Sequence, residues 1–264
     1  MWGVQMQVKI LSGWSNPGGS TIHHINLTNL LNDYGIDCTF YGPHNWHLDK
    51  CKGGLQQNYQ SEEDDIIISH FIRIGKKPKC RKHILSCHET NLFPLSEIDG
   101  SVYDTIQYVS DSQKKWHSVD YPSVIIPPIV EKVSWEDPEN NIAAVIGSID
   151  SHKRPHLSIE RAIEEGYEKV LLFGEITEIS YFNEHVSRWI TSRRAILMPH
   201  EDNKQVMYGR VSKVYHSSLR ETYGLVEAEC TLAGIPFDGP RNNQVILEKE
   251  EILDKWKKVL EITQ

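Results

Sequence analysis

Short apolar runs, each followed by a turn and a longer amphipathic stretch, recur along this chain, and no other feature limits its fold so tightly. A strand buried on both faces reads as a continuous apolar run, and parallel strands need crossover connections that are usually helices. Residues 8–14 read as a first strand and 15–20, Ser-Asn-Pro-Gly-Gly-Ser, as a turn. Residues 21–34 read as a helix that carries Ile22, Ile25, Leu27, Leu30 and Leu31 and stops at Gly35. Residues 36–41 form the next expected strand, with further apolar runs at 65–71, 83–87, 105–109 and 123–126. Pro127-Pro128 then breaks the series, and 131–141 is polar and turn-rich, the best linker candidate.

The same grammar restarts after the linker. Residues 142–146 read as a strand ending in Gly147, 154–165 as a helix closed by Gly166, and 169–173 as a strand followed by Gly174. Strands at 195–198 and 213–216 and a helix at 223–233 follow. Residues 247–262 form an amphipathic helix with Ile252, Leu253, Trp256, Val259 and Leu260 on one face. At about 150 residues per domain, 264 residues accommodate two modest domains. The expected fold class is α/β, with two Rossmann-like domains facing across a cleft, where ligands usually sit. The expected boundaries are 1–130, 131–246, and a helix in 247–264 packing back toward the first domain.

Composition excludes several classes of function. Lys and Arg number 28 against 36 Asp and Glu, a formal charge of −8. Bulk nucleic-acid binding, which depends on neutralising many phosphates, is not expected. No apolar run approaches the roughly 20 residues of a membrane span, and the first ten residues lack the pattern of a secretory leader. Five scattered cysteines without a CxxC pair argue for reduced thiols, and so for a cytoplasmic location, rather than a disulfide framework or a zinc knuckle. The thirteen histidines are dispersed in sequence, and no metal-ligand set is expected among them.

Three turns carry candidate chemistry. Gly18-Gly19 opens the first helix, where backbone N–H groups and the positive end of the helix suit a phosphate; the alternative is a plain strand-to-helix turn. Lys153 and Arg154 stand before a helix marked by Pro155, where the macrodipole prefers negative charge, so a bound anion would offset the penalty; the alternative is a solvated basic pair. The stretch from Ser217 to Pro236 is the most informative. Glu221 precedes a helix and Glu229 lies eight positions on, about two turns if both were helical. The pair could bracket a sugar hydroxyl and a ribose; alternatively Glu221 caps the helix while Glu227 and Glu229 are solvated. His23, His24, His44 and His47 read as loop and surface residues, and Trp14, Trp46 and Tyr41 as core or as stacking partners for a sugar ring.

The 217–236 stretch resembles the E-x7-E signature of retaining, nucleotide-sugar-dependent glycosyltransferases of the GT-B fold, the group 1 or family 4 type. Glu221, Tyr223, Gly224, Leu225, Glu229, Gly234 and Pro236 match in register, with Ser218 ahead of them and Cys230 in place of the usual alanine. The resemblance extends to Gly18-Gly19, to Asp65-Ile66-Ile67-Ile68-Ser69-His70, to His88-Glu89 where the family has His-Asp, and to Gly147 and Lys153. Where the family places a phosphate-clamping arginine, this chain has Ser148, which removes a bidentate contact that Arg154 would have to replace.

The resemblance implies a metal-independent transfer of a hexose from a UDP- or GDP-sugar, a co-substrate rather than a cofactor, to an unidentified acceptor: a glycan, a lipid-linked sugar or a small molecule. By the same resemblance Glu221, His88 and His70 are the catalytic candidates, and Glu229 accepts from the ribose. Gly18, Gly19, Lys153, Arg154, Gly224 and Leu225 then surround the donor diphosphate. Other classes remain open: a GT-B sugar-nucleotide epimerase, a base glucosyltransferase, or a non-catalytic relative that binds a nucleotide or sugar without turnover. The chain is short for the family, with 46–65 the expected site of trimming.

Overall fold

The structure is a computed structural model and describes residues 6–13, 18–42, 50–52, 55–56, 59–72, 74–90, 101–117, 119–242 and 244–262. Trp14, His44, Trp46 and His47 lie outside the described residues, as does much of 46–65. The chain divides into two units, Met1–Ile129 with Val245–Gln264, and Val130–Gln244.

Among the described residues, unit 1 has seven strands: β1 (Val8–Ser12), β2 (Cys38–Tyr41), β3 (Leu55–Gln56), β4 (Ile66–His70), β5 (Lys82–Cys87), β6 (Thr105–Tyr108) and β7 (Ser123–Ile125). They pair in parallel in the order β3-β2-β1-β4-β5-β6-β7, so consecutive strands run outward from β1 in one direction and then, from β4, in the other. This is the doubly wound order of dinucleotide-binding folds. β1, β2 and β4 are buried at every residue, as burial on both faces requires. Lys9 sits within β1 because Asp65 takes its ammonium at 2.6 Å and the Gln60 carbonyl at 2.9 Å, so the charge enters the sheet already paired.

Helix α1 (Gly19–Asp33) crosses from β1 to β2, and Leu27 and Leu31 pack with Val8, Ile10, Ile66, Ile68 and Ile84. The helix at Lys249–Leu260, α8 in chain order, joins the same core through Ile252, Leu253, Trp256 and Leu260, all nearly or fully buried. Its start is fixed by a reciprocal bond pattern between Glu248 and Glu251, with Glu250 and Glu251 at its positive end and Lys257 and Lys258 at its negative end. Each fully buried aliphatic side chain here contributes roughly 1.5–3 kcal/mol. A short helix, α2 (Asp111–His117), falls in a stretch where the sequence gives no helical period.

Unit 2 repeats the plan, with five strands among the described residues: β8 (Ile142–Ile146), β9 (Lys169–Phe173), β10 (Ala195–Leu197), β11 (Lys213–Tyr215) and β12 (Phe237–Asp238). All pair in parallel in the order β10-β9-β8-β11-β12. Helix α3 (Pro155–Glu164) crosses between β8 and β9. A helical stretch follows, made of α4 (Ile179–Tyr181), a π-helical turn over Phe182–Val186 and α5 (Ser187–Thr191). Helices α6 (Lys204–Tyr208) and α7 (Leu225–Ala233) complete the layer. The turns after β8 and β9 touch so closely that a Cβ on Gly174 would lie 1.9 Å from the Gly147 carbonyl oxygen, which is why only glycine fits there.

Candidate active site

In an open parallel sheet, loops leaving the carboxyl ends of two strands enclose a crevice where the strand order reverses. In unit 2 that point lies between β8 and β11, and both motif loops emerge from it: 147–154 and 216–224.

Asp150 organises the first loop. Its Oδ1 accepts the amides of His152 at 3.0 Å and Lys153 at 2.8 Å, and its Oδ2 accepts the hydroxyls of Ser148 at 2.6 Å and Thr177 at 3.0 Å. Burial opposes ionisation of this carboxyl, but the Ser148 bond and the others outweigh it, and it titrates below its usual range. A carboxylate of the chain itself thus satisfies the turn ahead of α3. Arg154 caps α3 in a left-handed conformation, φ 49°, with Pro155 next, and its Nε donates to the Ser217 carbonyl at 2.9 Å. The Leu219 amide donates to the His152 carbonyl at 2.9 Å, so the two loops are stitched together.

Glu221 is the centre of this arrangement. Its Oε1 accepts Lys153 Nζ at 2.5 Å and His216 Nε2 at 2.8 Å, and its side chain is only 14% exposed. Burial alone would raise its pKa, but the His216 bond and the Lys153 charge hold it at about 2. The carboxylate is ionised, half-buried and pointed at a lysine from the neighbouring loop.

Glu221 does not cap α7. Gly224 occupies that position with φ 88° and ψ 60°, and a Cβ there would lie 2.9 Å from Asn242 Nδ2. Leu225 begins the helix, so Glu221 and Glu229 are not two helical turns apart; one lies in the loop and the other in the helix. Nor are Glu227 and Glu229 solvated. Glu229 is 3% exposed, with Oε1 on Lys204 Nζ and Oε2 on the Tyr208 hydroxyl at 2.6 Å. Glu227 accepts the Asn242 amide, at 2.9 Å to its nearer oxygen. Sequence spacing misses His216, Lys204, Tyr208 and Asp150. The first three meet their partners across turns or between elements, where no periodicity reports them.

The remaining candidates lie in unit 1, around the carboxyl ends of β1, β4 and β5. Gly18 precedes α1 with φ −94° and ψ 171°, extended backbone open to any residue, and Gly19 opens the helix. Ser12 and His70 are register neighbours on β1 and β4, with Ser12 Oγ 3.0 Å from His70 Nδ1, and His70 Nε2 lies 2.9 Å from Glu89 Oε1. His88 Nε2 lies 3.2 Å from Ser86 Oγ.

Two expectations are corrected here. His23 and His24 are not surface residues; they are 2% and 0% exposed, on the buried side of α1. The spacing of His24, Thr28 and Leu31 at i, i+4 and i+7 is the signal that places His24 on that face. Four of the histidines, His23, His24, His70 and His88, are also gathered in space rather than dispersed. Ring centroids lie 4.4 Å apart for His23–His88, 4.6 Å for His24–His70 and 4.9 Å for His24–His88. Burial and the nearby His70 lower His23 to a pKa of about 3, and burial with its three neighbours takes His88 well below its usual range. Neither ring nitrogen of His23 has a hydrogen-bond partner among the described residues, a cost of roughly 1–3 kcal/mol for each such group.

No family model matches the sequence, and no curated protein does. Solved structures match along most of its length. WaaG, a glycosyltransferase involved in lipopolysaccharide biosynthesis, is 13% identical with a TM-score of 0.63, over 97% of this chain and 90% of that one. AviGT4, a glycosyltransferase involved in avilamycin A biosynthesis, is 18% identical with a TM-score of 0.62, over 98% and 89%. The pneumococcal O-GlcNAc transferase GtfA, solved with UDP and GlcNAc, is 14% identical with a TM-score of 0.57, over 76% and 57%. The match thus spans little more than half of GtfA, and 48% of the length of TarM. At these identities the shared property is the fold. Two parallel α/β sheets, each with the order of a Rossmann-like domain, matched over nearly the whole of AviGT4 and WaaG, make this chain a GT-B fold.

Proposed function

We propose that the chain is a retaining glycosyltransferase that moves a hexose from a UDP- or GDP-sugar to an acceptor hydroxyl. Unit 2 takes the donor; unit 1, with His70 and His88, takes the acceptor side. The observation that carries this reading is the Lys153–Glu221–His216 set at the strand-order reversal of unit 2. It supplies a cation and an ionised carboxylate beside the start of a helix whose first N–H groups have no intrahelical partner.

In the proposed reaction the donor exchanges partners with the resting site. The diphosphate takes the Lys153 ammonium and the amides at Gly224 and Leu225, with Arg154 in support, while Glu221 turns to hydroxyls of the transferred sugar. Cleavage of the sugar–diphosphate bond leaves negative charge on the leaving oxygen, which a fixed ammonium and aligned amides stabilise without a metal at the diphosphate. The acceptor oxygen attacks from the face that the diphosphate leaves, and its proton passes to the departing phosphate oxygen. No protein nucleophile is required. Glu229, held by Lys204 and Tyr208, receives the ribose hydroxyls by exchanging one of those partners. The five cysteines are free thiols, in keeping with a cytoplasmic enzyme, and among the described residues no helix is long and apolar enough to cross a membrane.

A second reading has one observation in its favour. Ser148 stands where the resemblance calls for arginine, and it donates to Asp150, whose carboxylate already fills the turn. A protein built so could hold a nucleotide sugar without turning it over. Calorimetric titration with UDP, GDP and their sugar conjugates, followed by an assay for released sugar, separates the two. Binding with slow hydrolysis supports transfer; tight binding with no product over days supports the binding protein; epimerised donor, or no binding at millimolar concentration, overturns both.

A further inference from the structure

Glu221 uses one oxygen for both of its partners. Lys153 Nζ and His216 Nε2 meet at Oε1, and Oε2 has no hydrogen-bond partner among the described residues. We propose that His216 is a positioning residue: it keeps hold of Oε1 when a donor diphosphate draws Lys153 away, so that Oε2 stays aimed at a hydroxyl of the transferred sugar. The inference rests on the donor reading of unit 2 and adds to it a side chain that acts through Glu221.

The two partners differ in what holds them. Lys153 is half-buried at the end of a flexible stem, and among the described residues its ammonium meets Glu221 alone, which leaves its other hydrogens for phosphate oxygens. His216 is buried at the first position after β11. Its amide donates to the Asp238 carbonyl at 2.8 Å, its own carbonyl accepts Arg161 Nη2 at 2.7 Å, and its ring lies beside Phe237, centroids 6.3 Å apart. Helix α3 and strands β11 and β12 all fix the residue. A ligand can draw the lysine away, whereas the imidazole stays with the sheet.

An ionised carboxylate only accepts, so Nε2 carries a hydrogen whether the ring is neutral or charged, and the bond to Oε1 survives titration of the imidazole. Without that bond, donor binding would strip a half-buried carboxylate of its last partner. Burial opposes ionisation of this group, so once abandoned it would take a proton from solvent.

The other charged and titratable groups around the pair have partners of their own. His152 Nε2 is on the Arg220 carbonyl, Arg154 Nε on the Ser217 carbonyl and Arg161 on Asp238, with Lys213 of β11 3.9 Å from the same carboxylate; the Arg220 side chain is exposed.

The test uses the full chain with UDP-glucose and GDP-mannose, whose diphosphates hold a constant charge across the neutral range. Calorimetric titration at pH 6, in buffers of different ionisation enthalpy, counts the protons taken up on binding, and release of free sugar measures turnover. His216→Phe keeps a ring and loses the N–H. It is expected to slow sugar release by roughly 10–100-fold, the worth of a hydrogen bond to a charged group. It should also add proton uptake that vanishes when Glu221→Gln is combined with it, whereas Glu221→Gln alone should leave the proton count of the wild type unchanged. His216→Gln, whose amide can reach the same oxygen, should bring turnover and proton count back toward wild type. His216→Leu gives the same measurement as His216→Phe should the larger ring prevent folding, and the proton count reads the role even where sugar release is too slow to follow. Wild-type proton count in His216→Phe and His216→Leu overturns the role of His216 while the donor reading stands, and so does proton uptake that persists without Glu221. A wild type that binds neither conjugate, nor free UDP or GDP, at millimolar concentration overturns the donor reading and this inference with it.

Discussion

Lys153 and Glu221, 68 residues apart in sequence, meet at 2.5 Å because two loops leave adjacent strands of one sheet. With His216 Nε2 on the same carboxylate oxygen, the pair holds a charge arrangement that a phosphorylated sugar would rearrange rather than create. Its removal, one partner at a time, separates binding from chemistry.

Glu221→Gln is expected to abolish sugar transfer while leaving UDP or GDP affinity within a few fold, because Lys153 remains to meet the phosphates. Turnover of the donor and calorimetric affinity, measured on the same preparation, check this. A variant that transfers sugar at the wild-type rate would remove Glu221 from the chemistry.

Lys153→Ala is expected to weaken nucleoside diphosphate binding by roughly 1.5–3 kcal/mol, the worth of a hydrogen bond to a charged group. Normal affinity in this variant would show that the phosphates bind elsewhere.

Glu221 also makes stability depend on acid. Its folded pKa, about 2, lies below the ordinary 4.5, so the stabilisation is complete above 4.5 and is lost as pH falls toward 2. The amount is on the order of 3 kcal/mol for a shift of this size. Urea unfolding between pH 6 and 2.5 should show wild type losing more stability than Glu221→Gln; parallel curves would contradict the assignment.

Gly174→Ala places a methyl group 1.9 Å from the Gly147 carbonyl oxygen. Backbone must move, at a cost of about 1–3 kcal/mol or more, and the displaced turn is the one that aims Lys153. The variant should therefore lose both unfolding midpoint and diphosphate affinity, and unchanged affinity would uncouple the turn from binding.

Trp256→Ala should destabilise unit 1 by about 3–5 kcal/mol, the usual range for emptying a fully buried aromatic. Urea unfolding of the variant beside wild type checks this, and an unchanged midpoint would contradict the packing of Trp256 in the core of unit 1.

The strands were legible where burial on both faces forces an apolar run. β8 and β9 match the sequence reading residue for residue, and most others differ by one or two positions at their ends. β12 and β3 were not, since two paired residues leave no pattern. The π-helical turn at Phe182–Val186 and the helix at Asp111–His117 have no apolar stripe long enough to read. The motif loops were visible as loops, but Lys153–Glu221 and Lys204–Glu229 are tertiary pairs, and nothing local in the sequence marks them. The histidine cluster was hidden for the same reason, as its members come from helix α1, the end of β4 and the segment after β5, and become neighbours only once these pack together.

The placement of α8 in unit 1 has a consequence for synthesis. A ribosome delivers the whole of Val130–Gln244 before it reaches Ile252, Leu253, Trp256 and Leu260, so the later-encoded unit can complete its core first. The earlier-encoded unit must wait, with a hydrophobic groove open, until that helix arrives. A stop between Gln244 and Ile252 would leave the whole of unit 2 encoded and take from unit 1 the four side chains that close its core.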